Sequence, residues 1–262
     1  MNGLIVADGG YQPPGVEDVF PPALFGGIPW FGKAMLLVLI SVVVLVTFFV
    51  AMTRKQAIVP GRLQFAGELL YNFVRDGIGR DVIGSKEFKP FVPLLFSLFT
   101  FILVNNLFGV LPFVSLPTMA HISYPLVLAL IVLVVYNYVG IRRQGFVTYF
   151  REIMFIPGVP AYVYPILAPV ELLTVLVIRP FTLTLRLFAN MFSGHLLLLV
   201  FITGSEYMIF HVANPLLKGA GVLTGGMALV MTFFELFVEI FQAYIFTLLA
   251  ALYIGGAVNE GH

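Results

Sequence analysis

From Met35 to Met52 the chain carries no charged side chain. Coiled as a helix, a run of that length reaches across the hydrocarbon core of a bilayer, about 30 Å thick, with little to spare. Four more apolar runs follow, at Phe91–Val114, Ile122–Ile141, Pro165–Thr203 and Val222–Val258. Five membrane segments predict an all-α integral membrane protein. Composition agrees: 60% of residues are hydrophobic and 10% charged, with mean hydropathy +1.02, whereas a soluble domain carries about 25% charged residues. Residues 1–32 differ from the rest. Pro13, Pro14, Pro21 and Pro22 stand among glycines and three acids, which predicts an irregular polar arm ahead of a membrane domain over 33–262. Trp30 and Phe31 then form an interfacial aromatic pair at the start of the first span. No cationic leader with a short apolar core precedes the arm, so no removable signal peptide is expected.

Charge narrows the function. The net charge of +1 supplies no basic field for nucleic acid. With zero cysteines there are no thiolate metal sites, disulfides or cysteine chemistry. No cofactor or metal site is expected. Ten of the 14 cations lie in two segments: Arg54, Lys55, Arg62, Arg75, Arg80, Lys86 and Lys89 follow the first span, and Arg142, Arg143 and Arg151 follow the third. Only Lys33 and Lys218 fall on the other side. By the positive-inside rule the N-terminus is outside and the C-terminus cytoplasmic.

Between Arg62 and Arg80 the pattern changes. Leu63, Ala66, Leu70, Phe73 and Gly77 recur at helical spacing, while Gln64, Glu68, Asn72 and Asp76 recur in steps of four. That is an amphipathic helix at the interface rather than a span. Tyr149–Phe155, with Arg151 and Glu152, is a shorter relative of it.

The last two runs are too long for one straight crossing. Pro165–Thr203 holds about 39 residues, about 58 Å as a helix. It must tilt, curve or break, and Pro169 and Pro180 are kink points. Val222–Val258 shares the excess, which suggests two helices lying along a curved partner surface. Both carry polar groups at helical spacing. Thr182, Arg186 and Asn190 are four apart, and Glu235, Glu239 and Gln242 fall at i, i+4 and i+7, on one stripe. A guanidinium inside a membrane costs about 2.5–3.5 kcal/mol on insertion scales, so Arg186 implies a function and a partner. Snorkelling to lipid headgroups or an internal ion pair is the bland alternative. Carboxylates, an amide and His195 can pass protons; the bland alternative is a polar zipper between the two helices.

These residues resemble a known family. Leu185-Arg-Leu-Phe-Ala-Asn-Met-Phe-Ser-Gly-His195, with Gln242-Ala-Tyr-Ile-Phe-Thr-Leu-Leu249, is similar to subunit a of the rotary F-type ATP synthases, bacterial type. The resemblance takes in the five-span layout, Arg179-Pro180 ahead of the Arg186 motif, and the stretch from Asn105-Asn106 to Leu111-Pro112. It covers roughly residues 35–258. It implies a non-catalytic stator subunit in the cell's inner (plasma) membrane, partnered by a c-ring of proteolipids and peripheral-stalk b-type subunits. It implies two offset half-channels separated by Arg186, which faces the ring carboxylate. Asn190, His195, Glu235 and Gln242 then belong to the outer half-channel and the ring contact; some members carry the His195 and Glu235 types exchanged. Glu171 stands one residue from the acidic position of the inner half-channel. Glu239 has no invariant counterpart, and Gly109 stands where many relatives carry an acid.

Other classes fit less well. A haem protein needs facing histidines, and of His121, His195, His211 and His262 only His195 lies well inside a span. A secondary transporter also uses intramembrane charges, but no internal repeat is visible. A simple anchor has no need of Arg186.

Overall fold

A computed structural model describes residues 11, 13–15, 32–54, 61–110, 118–155, 160 and 162–259. Most of the polar arm, the Trp30–Phe31 pair, residues 111–114 of the expected second span and His262 lie outside the described residues. Within them the chain is helical and has no strand. In chain order the main elements are α1 (Lys33–Arg54), α2 (Arg62–Val74), α3 (Val92–Val110), α4 (Ser123–Gln144), α5 (Phe146–Met154), α6 (Tyr164–Leu173), α7 (Arg179–Phe210) and α8 (Pro215–Asn259). Five helical stretches are long and apolar enough to cross a membrane.

The two long C-terminal helices overrun their expected ends. The fourth stretch continues to Phe210 rather than Thr203, and α8 begins at Pro215 rather than Val222. The glycines and polar groups between these positions read as a loop. In the structure they pack helix against helix: Ser205 Oγ donates to the Gly221 carbonyl at 2.8 Å, and a methyl on Gly225 would stand 2.8 Å from that hydroxyl. Small residues let backbones approach this closely.

The break in the fourth stretch lies between the two prolines that sequence singled out. Thr174–Ile178 forms a wider π turn joining α6 to α7, and the Arg179 amide reaches back to Thr174 O. Pro180 follows at the start of α7; its ring excludes the carbonyl four residues back, and the wider turn makes room. The Val175 carbonyl loses its ordinary helical donor there, and the buried Tyr136 hydroxyl of α4 donates to it instead. Pro169, by contrast, sits inside α6.

The α7–α8 hairpin forms the centre of the molecule, with α3 and α4 packed against it. The inner end of α8 is lined with small residues. Ala243, Thr247, Ala250, Ala251 and Ala257 are buried beside Phe246 and Ile254. A methyl added at Gly255 would stand 3.1 Å from Val82 O in the turn Arg75–Ile83 that follows α2.

The interfacial helix is present over Arg62–Val74 and continues as that π turn to Ile83, past the expected end at Arg80. Packing divides its apolar residues between lines. Gly67, Val74, Ile78 and the half-buried Leu70 pack inward, whereas Ala66, Phe73 and Gly77 are exposed. Gly67 takes this place because Met52 of α1 occupies the space a β-carbon would fill. Phe65 and Leu69 form an outward apolar line, Phe73 sets its ring 5.8 Å from those of Phe99 and Tyr244, and Gln64 and Glu68 pair at 2.7 Å on the polar side. The helix thus has a packed face, an exposed apolar face and an exposed polar face.

Two contacts order the ends. Arg143 at the end of α4 pairs with Glu87, which joins the two cation-rich segments. At the opposite end Tyr11 of the arm meets Thr203 Oγ1 at 3.2 Å and sets its ring 5.4 Å from that of Tyr207, tilted by 48°.

Candidate functional site

Helical geometry alone carries Glu235, Glu239 and Gln242 onto one face of α8. Packing turns that face toward α7, where a cavity of about 380 Å³ opens between the two helices. Asn190, Ser193 and Gly194 line it from α7 and the three polar groups from α8; Met231, Phe234 and Val238 complete an apolar wall. Glu235, Glu239 and Gln242 are 6%, 2% and 3% exposed. Neither carboxyl has a hydrogen-bond partner among the described residues, nor has Gln242 Nε2. Buried polar groups are nearly always partnered, and a static zipper would have paired these. One cross-helix bond does form: Asn190 Nδ2 donates to Gln242 Oε1 at 3.0 Å. It closes one end of the cavity.

The two sides of α7 have different jobs. Leu187, Met191, His195 and Leu198 form its buried line, while Arg186, Asn190, Ser193 and Leu197 face outward. Arg186 is therefore exposed on the same face as Asn190, one turn away. It has no ion pair or hydrogen bond among the described residues. The internal ion pair considered for it has no counterpart among the described residues. Arg179, two turns earlier, instead meets an aromatic face, its guanidinium 5.1 Å from the centre of the Tyr253 ring.

His195 is buried (7% exposed) but stands on the inward line, off the cavity lining, and its Nδ1 has no partner. It makes no direct bond to Glu235. The two are brought close by Gly194: a β-carbon there would lie 2.9 Å from Glu235 Oε1, so that carboxyl rests on the backbone next to His195. Glu171 is half-buried on α6 and lines no part of this cavity. The structure therefore gathers Asn190, Glu235, Glu239 and Gln242, sets His195 beside them, and leaves Glu171 apart.

Asn106 is fully buried on α3; its Nδ2 donates to the Glu239 backbone carbonyl at 3.1 Å, and its Oδ1 is unpartnered. Its neighbour Asn105 instead closes a structural network, donating to Ser41 Oγ at 2.9 Å and meeting Thr118 Oγ1 at 3.1 Å. Sequence alone left these two asparagines indistinguishable. Ser193 on the cavity wall was missed altogether; its three-residue step from Asn190 was the available signal.

Helices long and apolar enough to cross a membrane, with ionisable groups gathered around a cavity between two of them, are what an ion-handling membrane protein presents. Its family follows from comparison. The family model for the ATP synthase A chain matches residues 35–255. ATP synthase subunit a of Pseudarthrobacter chlorophenolicus is 46% identical over 256 residues, covering 96% of this chain and 94% of that one. The subunits a of a Nocardioides species and of Streptomyces lividans are 42% and 41% identical, each over 97% of this chain. The chain belongs to the ATP synthase A chain family, the non-catalytic, proton-translocating membrane subunit of the ATP synthase.

Proposed function

We propose that the cavity between α7 and α8 is the ring-proximal part of an outer half-channel, and that Arg186 separates it from an inner half-channel to which Glu171 belongs. Protons reach a carboxylate on a c-ring through one path and leave through the other. Because the paths do not join, each proton must ride the ring, and rotation follows. One observation carries this reading: an outward, unpartnered guanidinium stands one turn from the Asn190–Gln242 bridge that closes a carboxylate-lined cavity. Among the described residues the charge has no compensation, which leaves it free to meet a carboxylate of a second chain.

The electrostatics fit the task. A fixed cation at the gap favours the ionised form of an arriving carboxylic acid and repels a proton wire across the seal. Each charge crossing yields about 2.3 kcal/mol per 100 mV, which a ring sums over several crossings. Water fits the cavity, since polar groups facing a space of this size are commonly bridged by it. Glu235, Glu239, Asn190 and Gln242 would work there, with His195 beside them, as proton-exchanging and water-organising groups.

The reading places the protein in the cell's inner membrane, N-terminus outside and C-terminus cytoplasmic, with b-type stalk subunits as further partners. The Glu87–Arg143 pair supports a single cation-rich side, and the Tyr11–Thr203 contact supports an arm lying beside the α7–α8 turn that bears Lys218. Proton pumping by the Arg186→Ala complex tests the central claim: pumping near the parent rate refutes it.

A further inference from the structure

Glu239 is more enclosed than Glu235 and lies one turn closer to Gln242. Both of its carboxyl oxygens are unpartnered, yet it lines the same cavity as Asn190 and Gln242. Its position is held firmly, because Asn106 Nδ2 binds its backbone carbonyl from α3. A carboxyl kept for packing would be paired by protein donors or replaced by an apolar group, since burying it alone is costly.

Spacing supplies the reason to keep it. Glu235 and Gln242 are two turns apart, about 10 Å along the helix axis, whereas a proton passes between heavy atoms about 2.5–3 Å apart. Glu239 divides that gap, with Glu235 one turn to one side and the Asn190–Gln242 bridge less than a turn to the other.

We propose that Glu239 is the last proton carrier of the outer half-channel, standing between Glu235 and the ring carboxylate; the proposal rests on the half-channel reading above. During synthesis a proton leaves Glu235, directly or through water, as an O–H bond forms on the Glu239 carboxylate. Glu239 then yields that proton to the ring carboxylate and returns to its ionised form. ATP-driven pumping runs the same two transfers backwards.

The test uses the whole ATP synthase in inverted membrane vesicles, reading ATP-driven acidification. Glu239→Gln keeps size and hydrogen bonding but cannot carry the proton; pumping should fall about tenfold or more, as for loss of a proton-transfer group. Glu239→Asp keeps an ionisable group and should stay within about threefold of the parent. A Gln variant within twofold of the parent, or an Asp variant as slow as Gln, overturns the proposal. If Glu239→Gln does not assemble, Glu239→Cys in this cysteine-free chain replaces it. A carboxylate-bearing methanethiosulfonate should then raise its rate where a neutral analogue does not; equal responses overturn the proposal. Glu235→Gln separates the two levels. If it is slow while Glu239→Gln is normal, only the carrier role of Glu239 falls; if both run at the parent rate, the outer half-channel reading falls with it.

Discussion

Glu235 rests its carboxyl against the backbone of Gly194, so closely that a β-carbon there would stand 2.9 Å from Oε1. The atom met is the far end of a flexible side chain, which can swing away. Alanine also favours a helix over glycine by about 0.8–1 kcal/mol. Gly194→Ala should therefore assemble normally while displacing the carboxyl from its place beside His195. We expect pumping in inverted vesicles to slow severalfold with unchanged subunit content. A parent-like rate would show that this position of the carboxyl is irrelevant to proton movement.

Arg186→Ala should abolish both coupled synthesis and ATP-driven pumping in an assembled complex. Arg186 has no partner among the described residues, so its removal strands no buried group there. Lysine should not rescue, because a compact, deprotonatable ammonium lacks the guanidinium's fixed charge and reach. Vesicle acidification and subunit immunoblots are the two measurements.

Topology is open to labelling, since the chain has no cysteine of its own. Arg143→Cys should react with an impermeant reagent from the cytoplasmic side, and Lys218→Cys from the opposite side. The ten cations of the two basic segments motivate this. Reaction of both positions from one side would refute it.

His195 and Glu235 should behave as one unit although they share no direct hydrogen bond. Ionisable groups set this close couple their titrations, so neither acts alone. Glu235→Gln should slow proton uptake without opening a leak past Arg186. Exchanging the two, His195→Glu with Glu235→His, should recover part of the rate. An exchange no better than the slower single variant counts against the pairing.

Much of this was legible in the residue string. Uncharged runs such as Met35–Met52 can only be buried in apolar surroundings, so the spans follow from transfer free energy. The one-face alignment of Glu235, Glu239 and Gln242 follows from 3.6 residues per turn, whatever surrounds the helix. The family was legible too, because the Arg186 motif and the Gln242 motif are local strings.

Tertiary packing decided the rest. Two arginines seven residues apart look alike in sequence, yet Arg179 finds the Tyr253 ring while Arg186 faces out. Glycine-rich ends that read as a loop became helix once Ser205 and Gly221 met, because small residues stabilise a helix pair through close contact that neither segment makes alone. The buried line of the interfacial helix ran through Gly67 rather than Ala66 because Met52 fills the space beside it. The bridge from Asn190 to Gln242 spans 52 positions of chain. Periodicity specifies which residues of a helix share a face. Which face meets which neighbour depends on the shapes and charges of both surfaces, and those exist only in the packed molecule.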